Sequence, residues 1–240
     1  MKARSVACIV LTIFLASCAN TKVKNSSDYS SQLLYPKETK SLLFEKLFIY
    51  DEPLFGASLS YHDPAYPSDT ITVYIYPIRA TEWQETDEVL HGEMDAVYAE
   101  VQHSYQQVSE ETRGKFFFDN AGKNFEGLKS RFDFEHQGRQ INSFAYLFLS
   151  KDKYIKFRTS FDAQYTPDWN GDQIVQEILP GITVPDESLY MKSLRDEQRE
   201  IDRQRREELM RLLLKAVENG DLVIEEEGEE STPESLGTTE

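Results

Sequence analysis

The sequence predicts an α+β fold: a central antiparallel β-sheet flanked by helices, followed by a long C-terminal helix and an acidic tail. Three observations carry that prediction. Several segments between Gly56 and Phe161 alternate along the chain with period two, the signature of strands. Two stretches carry apolar residues at steps of three and four, the signature of helices packed on one face. After Pro185 the chain becomes densely charged while keeping a helical pattern.

The strands come in order. Ile71, Val73 and Ile75 share one side of a segment whose other side is Thr72, Tyr74 and Tyr76, and Pro77 ends it. Gly56 to Tyr61 is expected to pair with it. Leu128, Phe132 and Phe134 oppose Lys129, Arg131, Asp133 and Glu135. Ile141 to Leu149 is apolar on both sides, so it is expected at the centre of the sheet, covered above and below. Ile155, Phe157 and Phe161 face inward, against Tyr154, Lys156 and Arg158. The short turns His136-Gln137-Gly138-Arg139 and Ser150-Lys151-Asp152-Lys153 favour an antiparallel meander.

The helices follow the same logic. From Asp87 to Val108, the residues Leu90, Met94, Val97, Val101, Tyr105 and Val108 form one apolar stripe, weakened near its start by Gly92. A second helix runs from about Asn170 to Leu179, pairing Ile174 with Ile178 and Val175 with Leu179, and Pro180-Gly181 ends it. Asp186 is placed to cap a third, running towards Asn219-Gly220. Between Arg195 and Glu208 its only apolar residue is Ile201, so this part is expected to project into water, supported by pairs such as Asp202 with Arg206 and Glu207 with Arg211. Its end gathers Leu209, Met210, Leu212, Leu213, Leu214 and Val217. Such an end either folds back on the domain or is a partner contact.

This order, with Gly56-Ala57-Ser58-Leu59-Ser60-Tyr61 opening and Tyr154-Ile155-Lys156-Phe157-Arg158 late, resembles the PsbP-like superfamily over about Leu43 to Ile182. The resemblance implies an α/β/α sandwich and a binding or assembly role, and it transfers no functional residue. A cystatin-like or lipid-carrier sheet gives a similar order.

The N-terminus points to a cellular address. Lys2 and Arg4 precede an apolar run from Val6 to Ala16, far shorter than the roughly 20 residues a helical span needs. The run ends in Leu15-Ala16-Ser17-Cys18, which resembles the bacterial lipobox. That resemblance implies cleavage before Cys18, a lipid on its thiol and, with Ala19 rather than Asp next to it, the outer membrane facing the periplasm. Two or three acyl chains hold where one does not. The expected organisation is then a signal peptide over 1–17, the lipidated cysteine with a flexible tether over 18–36, and the α+β domain over 37–185. A charged helix over 186–220 and a disordered acidic tail over 221–240 complete it. Cys8 and Cys18 are the only cysteines, so the mature domain is expected to lack a disulfide.

Charge narrows the partners. The chain carries 26 basic and 42 acidic residues, and loss of Lys2 and Arg4 takes the formal charge from −16 to −18. Nucleic acid and anionic headgroups are poor matches for such a surface. Glu218 to Glu240 alone holds nine acidic residues and no basic one. A solvated tail is expected there, the other reading being a segment that docks on a basic partner or gathers calcium.

No catalytic constellation stands out. His62, His91, His103 and His136 show no metal-ligand spacing; His91 and His103 share a helix but lie about 120° apart around it. Ser150 and Lys153 match S-x-x-K in a turn, where a serine–lysine enzyme wants a helix. Gly122 and Gly127 flank a loop without the Lys-Ser/Thr of a phosphate site. Tyr61, Tyr66, Tyr74, Tyr76 and Trp83 either line a groove or pack a sheet face under a helix, and packing is the safer reading. No cofactor is implied. The expected function is a non-catalytic envelope lipoprotein that binds, scaffolds or assembles an envelope protein partner. The alternative is a cell-wall or lipid-acting hydrolase using carboxylates without a sequence signature.

Overall fold

The structure is a computed structural model that describes residues 26–164 and 170–219. The expected signal peptide, Cys18 and the acidic tail over 221–240 lie outside the described residues.

Seven antiparallel strands form one sheet: β1 (Leu43–Ile49), β2 (Ala57–Asp63), β3 (Tyr66–Pro77), β4 (Gln106–Asn120), β5 (Lys123–His136), β6 (Arg139–Ser150) and β7 (Lys153–Asp162). Their order across the sheet is β1-β2-β3-β7-β6-β5-β4. Helix α2 (Asp87–Ser104) packs on one face and α3 (Gly171–Ile178) on the other; α1 (Ser26–Gln32) precedes β1 and α4 (Leu189–Glu218) ends the described chain. The fold is α+β with helices on both faces of an antiparallel sheet, as the periodicities predict.

The alternation in the strands splits the core in two. On the α3 face lie Leu59, Val73, Tyr146, Phe157, Val175 and Ile178. On the α2 face lie Met94, Val97, Val101, Leu128, Phe132 and Leu147. Strand β6 feeds both, as its two-sided apolar run requires, but the middle strand is β7. Lys156 and Arg158 disguise β7 in the sequence because they read as a solvated face. Eight of its ten positions are buried, and Lys156 is among them.

Both edge strands depart from the expected element list. Strand β1 has no buried position and β4 has one, Phe116, so neither shows the alternation that marks a half-buried strand. The first helix was expected to run to Val108, yet it stops at Ser104. Tyr105 is extended and Gln107 takes φ 55°, which turns the chain into β4. Tyr105 then stacks on Phe134 at 4.1 Å, so its apolar spacing reflects packing from outside the helix.

The described part of the expected tether is folded. Ser26–Gln32 is helical, and Tyr29 and Leu33 are buried in the α3-side core. The polar residues around them hid two buried anchors. Leu34 exchanges backbone hydrogen bonds with Thr183 (2.9 and 3.0 Å), tying this segment to the chain leading into α4. Glu177 of α3 accepts from Thr39 Oγ1 (2.8 Å), Ser41 N (3.1 Å) and Ser41 Oγ (2.9 Å). Burial opposes its charge, and these bonds with one from Gln173 still carry its pKa below the ordinary value.

Candidate functional site

The chain after Pro185 is the part the core least explains. Ser188 caps α4, its Oγ accepting from Met191 N at 3.1 Å. Asp186, expected in that role, lies two residues earlier and receives Lys151 Nζ at 2.5 Å. That ion pair lowers the Asp186 pKa.

The first two turns of α4 belong to the domain. Met191 is 1% exposed and Arg195 6%. Arg195 donates from Nη2 to the Ile78 carbonyl at 2.6 Å and from Nη1 to Glu187. Beside this joint opens a cleft of about 810 Å³, lined by Trp83, Glu88, Glu187, Lys192, Arg195 and Arg199 among others. Glu187 and Arg195 neutralise each other there.

From Asp196 outward α4 leaves the domain. No residue between Asp196 and Asn219 is buried. Ion pairs line its sides: Arg199 with Asp196 (3.0 Å), Arg203 with Glu200 (2.6 Å) and with Glu207. Arg203 takes Glu207 in place of the expected Arg211, and Asp202, expected to pair with Arg206, accepts from Gln198 Nε2 at 3.0 Å with Arg205 at 4.0 Å. Leu209, Met210, Leu212, Leu213, Leu214 and Val217 are all exposed, between 38% and 58%. The apolar end does not fold back.

The other candidates resolve into structure. Tyr61 and Tyr76 are buried on opposite faces, Tyr61 donating to Pro36 O at 2.9 Å and Tyr76 to Glu93 at 2.7 Å. Trp83 packs with Tyr74 and Tyr76 against the α2-side core and also lines the α4 cleft, whereas Tyr61 lies on the other face. Lys153 of the S-x-x-K turn is 2% exposed and donates to Asp152 (2.6 Å) and to Asp186 O (3.1 Å). Together with Lys151 it fastens the approach to α4. His91 and His103 are exposed on α2, and His136 packs edge-on against Tyr105. Among the described residues no group of three or more His, Cys, Asp or Glu is placed to hold a metal ion.

Sequence reasoning missed three buried charged side chains. Lys156 lies 5.0 Å over the Tyr74 ring and 3.3 Å from Glu100, and burial lowers its pKa. Asp69 and Asp162, 8% and 6% exposed, line a pocket of about 200 Å³ with His136 and Arg139. Burial pushes the Asp69 carboxyl up to about 6. No sequence signal separates these from surface charges.

Among solved structures, the chain is similar to cyanobacterial PsbP. The solution structure of that protein (CyanoP) from Synechocystis sp. PCC 6803 shares 15% sequence identity with this chain, covering 71% of it and 98% of CyanoP, with a TM-score of 0.39. No family model matches the sequence, and no curated protein does. No helix of the described residues is long and apolar enough to cross a membrane.

Proposed function

We propose that this protein is a non-catalytic lipoprotein of the bacterial cell envelope, anchored through Cys18, that binds or scaffolds another envelope protein. One observation carries the binding half of this reading: the buried residues of α4, Met191 and Arg195, lie in its first two turns, and the helix then extends with its apolar end uncovered. A helix of 30 residues is about 45 Å long, so this end stands well away from the sheet. Packing alone gives the chain no reason to keep five large apolar residues, Leu209, Met210, Leu212, Leu213 and Leu214, in water. The anchor rests on the Leu15-Ala16-Ser17-Cys18 resemblance and the basic, apolar leader before it. Ala19 next to Cys18 favours the outer membrane, facing the periplasm, as the site of that anchor.

The hydrolase alternative gains nothing from the cleft at Trp83. Its Glu187 is held by Arg195, leaving it a structural partner of α4.

In-cell crosslinking tests the reading. The full chain is expected to trap one defined envelope protein, and a chain ending at Gln198, which keeps Met191 and Arg195, is expected to lose it. A shortened chain that still traps the same protein would move the contact to the domain. Labelled fatty acid tests the anchor: incorporation into the full chain and loss with Cys18→Ala is expected, and label in the variant contradicts it.

A further inference from the structure

We propose that the β1 edge of the sheet rests on the lipid bilayer, with the rings of Phe48 and Phe55 seated among the headgroups. This rests on the reading of Cys18 as a lipid anchor and adds which side of the domain meets the membrane.

The start of the described chain sets the reach of the anchor. Cys18 stands eight positions before Ser26, so the chain between them spans at most about 29 Å. From Ser26 the chain is committed to one side of the sheet. α1 lies against β1, and Tyr29 and Leu33 enter the same core as Leu59 and Tyr61 of β2. Tyr61 also donates to Pro36 O at 2.9 Å. The opposite edge, β4, is six strand spacings from β1, about 29 Å across the sheet. An anchor at Cys18 therefore brings the β1 side to the membrane more readily than the β4 side.

The exposed apolar residues select that side. Outside α4, those among the described residues are Leu34, Leu43, Phe48, Phe55 and Phe117. The first four fall between Leu34 and Phe55, in the stretch that follows α1. Phe48 and Phe55 flank Tyr50, with ring centroids 4.9 and 6.1 Å from it, and Arg79 lies 5.6 Å over the Phe55 ring. The turn that carries Phe55 is firmly built. Tyr50 N donates to Gly56 O at 3.0 Å and Phe55 N to Glu52 O at 3.0 Å. Gly56 takes φ 63°, and a Cβ there would collide with Ile75 O, so the turn is pressed against β3 while half of Phe55 stays in the open.

The chemistry of the patch fits the headgroup level of a bilayer. Aromatic side chains favour that depth, where one end is apolar and the other wet. Lys46 and Arg79 offset Asp51 and Glu52 around the rings, leaving a neutral patch on a chain of formal charge −16. Anionic headgroups hold off the acidic surface elsewhere, which orients the domain with this patch towards the lipid. An open sheet edge is not tolerated in hydrocarbon, and β1 is an edge strand. The seat is therefore shallow, with the phenyl rings at the acyl boundary and the β1 backbone among water and headgroups.

The test uses the lipidated full chain in vesicles of phosphatidylethanolamine and phosphatidylglycerol, with one spin label per chain. On the anchor reading neither Cys8 nor Cys18 leaves a free thiol, so Phe55→Cys, Lys46→Cys and Phe117→Cys each offer a single labelling site. Labels at 55 and 46 are expected to meet an aqueous nickel complex at least about threefold less often than a label at 117. Adding Phe48→Ser and Phe55→Ser to the Lys46→Cys chain is expected to raise accessibility to the level at 117, with vesicle attachment and melting temperature unchanged. Accessibility at 46 that ignores those two substitutions marks a tether acting alone and overturns the proposal. So does a label at 55 as accessible as one at 117 on vesicle-bound chains; the anchor reading then still stands. So does equal shielding at 55 in the Cys18→Ser chain without vesicles, which marks contact with a second copy. A parent chain that takes up no labelled fatty acid and does not stay with the vesicles overturns the anchor reading and this inference with it.

Discussion

Arg195, on the second turn of α4, donates to the backbone carbonyl of Ile78, 117 positions earlier in the chain, at 2.6 Å. This bond marks where α4 stops being part of the domain. Arg195→Ala would leave that carbonyl and Glu187 without their partner, in a joint where Arg195 itself is 6% exposed. The expected cost is about 2–3 kcal/mol, read as a lower urea midpoint, with faster proteolysis between 186 and 190. An unchanged midpoint would mean that the joint holds without it.

Leu147, on β6, is 0% exposed and packs in the α2-side core. Leu147→Ala is expected to cost about 2–5 kcal/mol, and Leu147→Asp to prevent folding because it buries an unpaired charge. A folded Leu147→Asp chain with the parental melting temperature would remove β6 from the core.

Tyr146 donates to Asp172 Oδ1 at 2.5 Å, and Lys129 Nζ reaches the same oxygen at 2.6 Å. Tyr146→Phe deletes one bond and leaves Asp172 paired, so a loss of about 1 kcal/mol is expected in thermal or urea unfolding. Asp172→Ala strands both donors and is expected to cost more. The reverse order would show that the Lys129 pair is screened away.

Legibility in the sequence followed burial. β6 was readable because both of its sides are apolar, and α3 because Ile174, Val175 and Ile178 are all buried at helical spacing. The edge strands β1 and β4 were invisible because an edge strand buries little, leaving no alternation to detect. The two-residue turns were readable from residues such as Gln137 and Gly138, both with positive φ. The centre of the sheet was misplaced by one strand because Lys156 and Arg158 look solvated in sequence. Only the fold shows α2 covering Lys156 beside Tyr74. The candidate contact was legible as composition, since Leu209 to Val217 is apolar wherever it lies. Its exposure was not, because sequence does not say whether a domain surface waits to receive it.

Asp69 gives a pH signature. Burial raises its carboxyl from the ordinary 3.8 to about 6, opposed by the Asp162 backbone N–H and reinforced by the charges of Asp162 and Asp63. The folded chain therefore holds this proton more tightly than the unfolded chain. The associated stability is present below about pH 4 and is lost as pH rises towards 6. Asp69→Asn is expected to melt higher than the parent at pH 7, with the gap closing towards pH 4. A gap constant from pH 4 to 7 would contradict the shift.

The central claim is that α4 beyond Gln198 serves contact and not the fold, and thermal unfolding of a chain ending at Gln198 tests it most directly. That chain keeps Met191, Arg195 and every buried residue of the sheet and helices. The expected result is a melting temperature within about 2 °C of the full chain, whereas a drop of about 5 °C or more, or aggregation, would show that the outer helix completes the core.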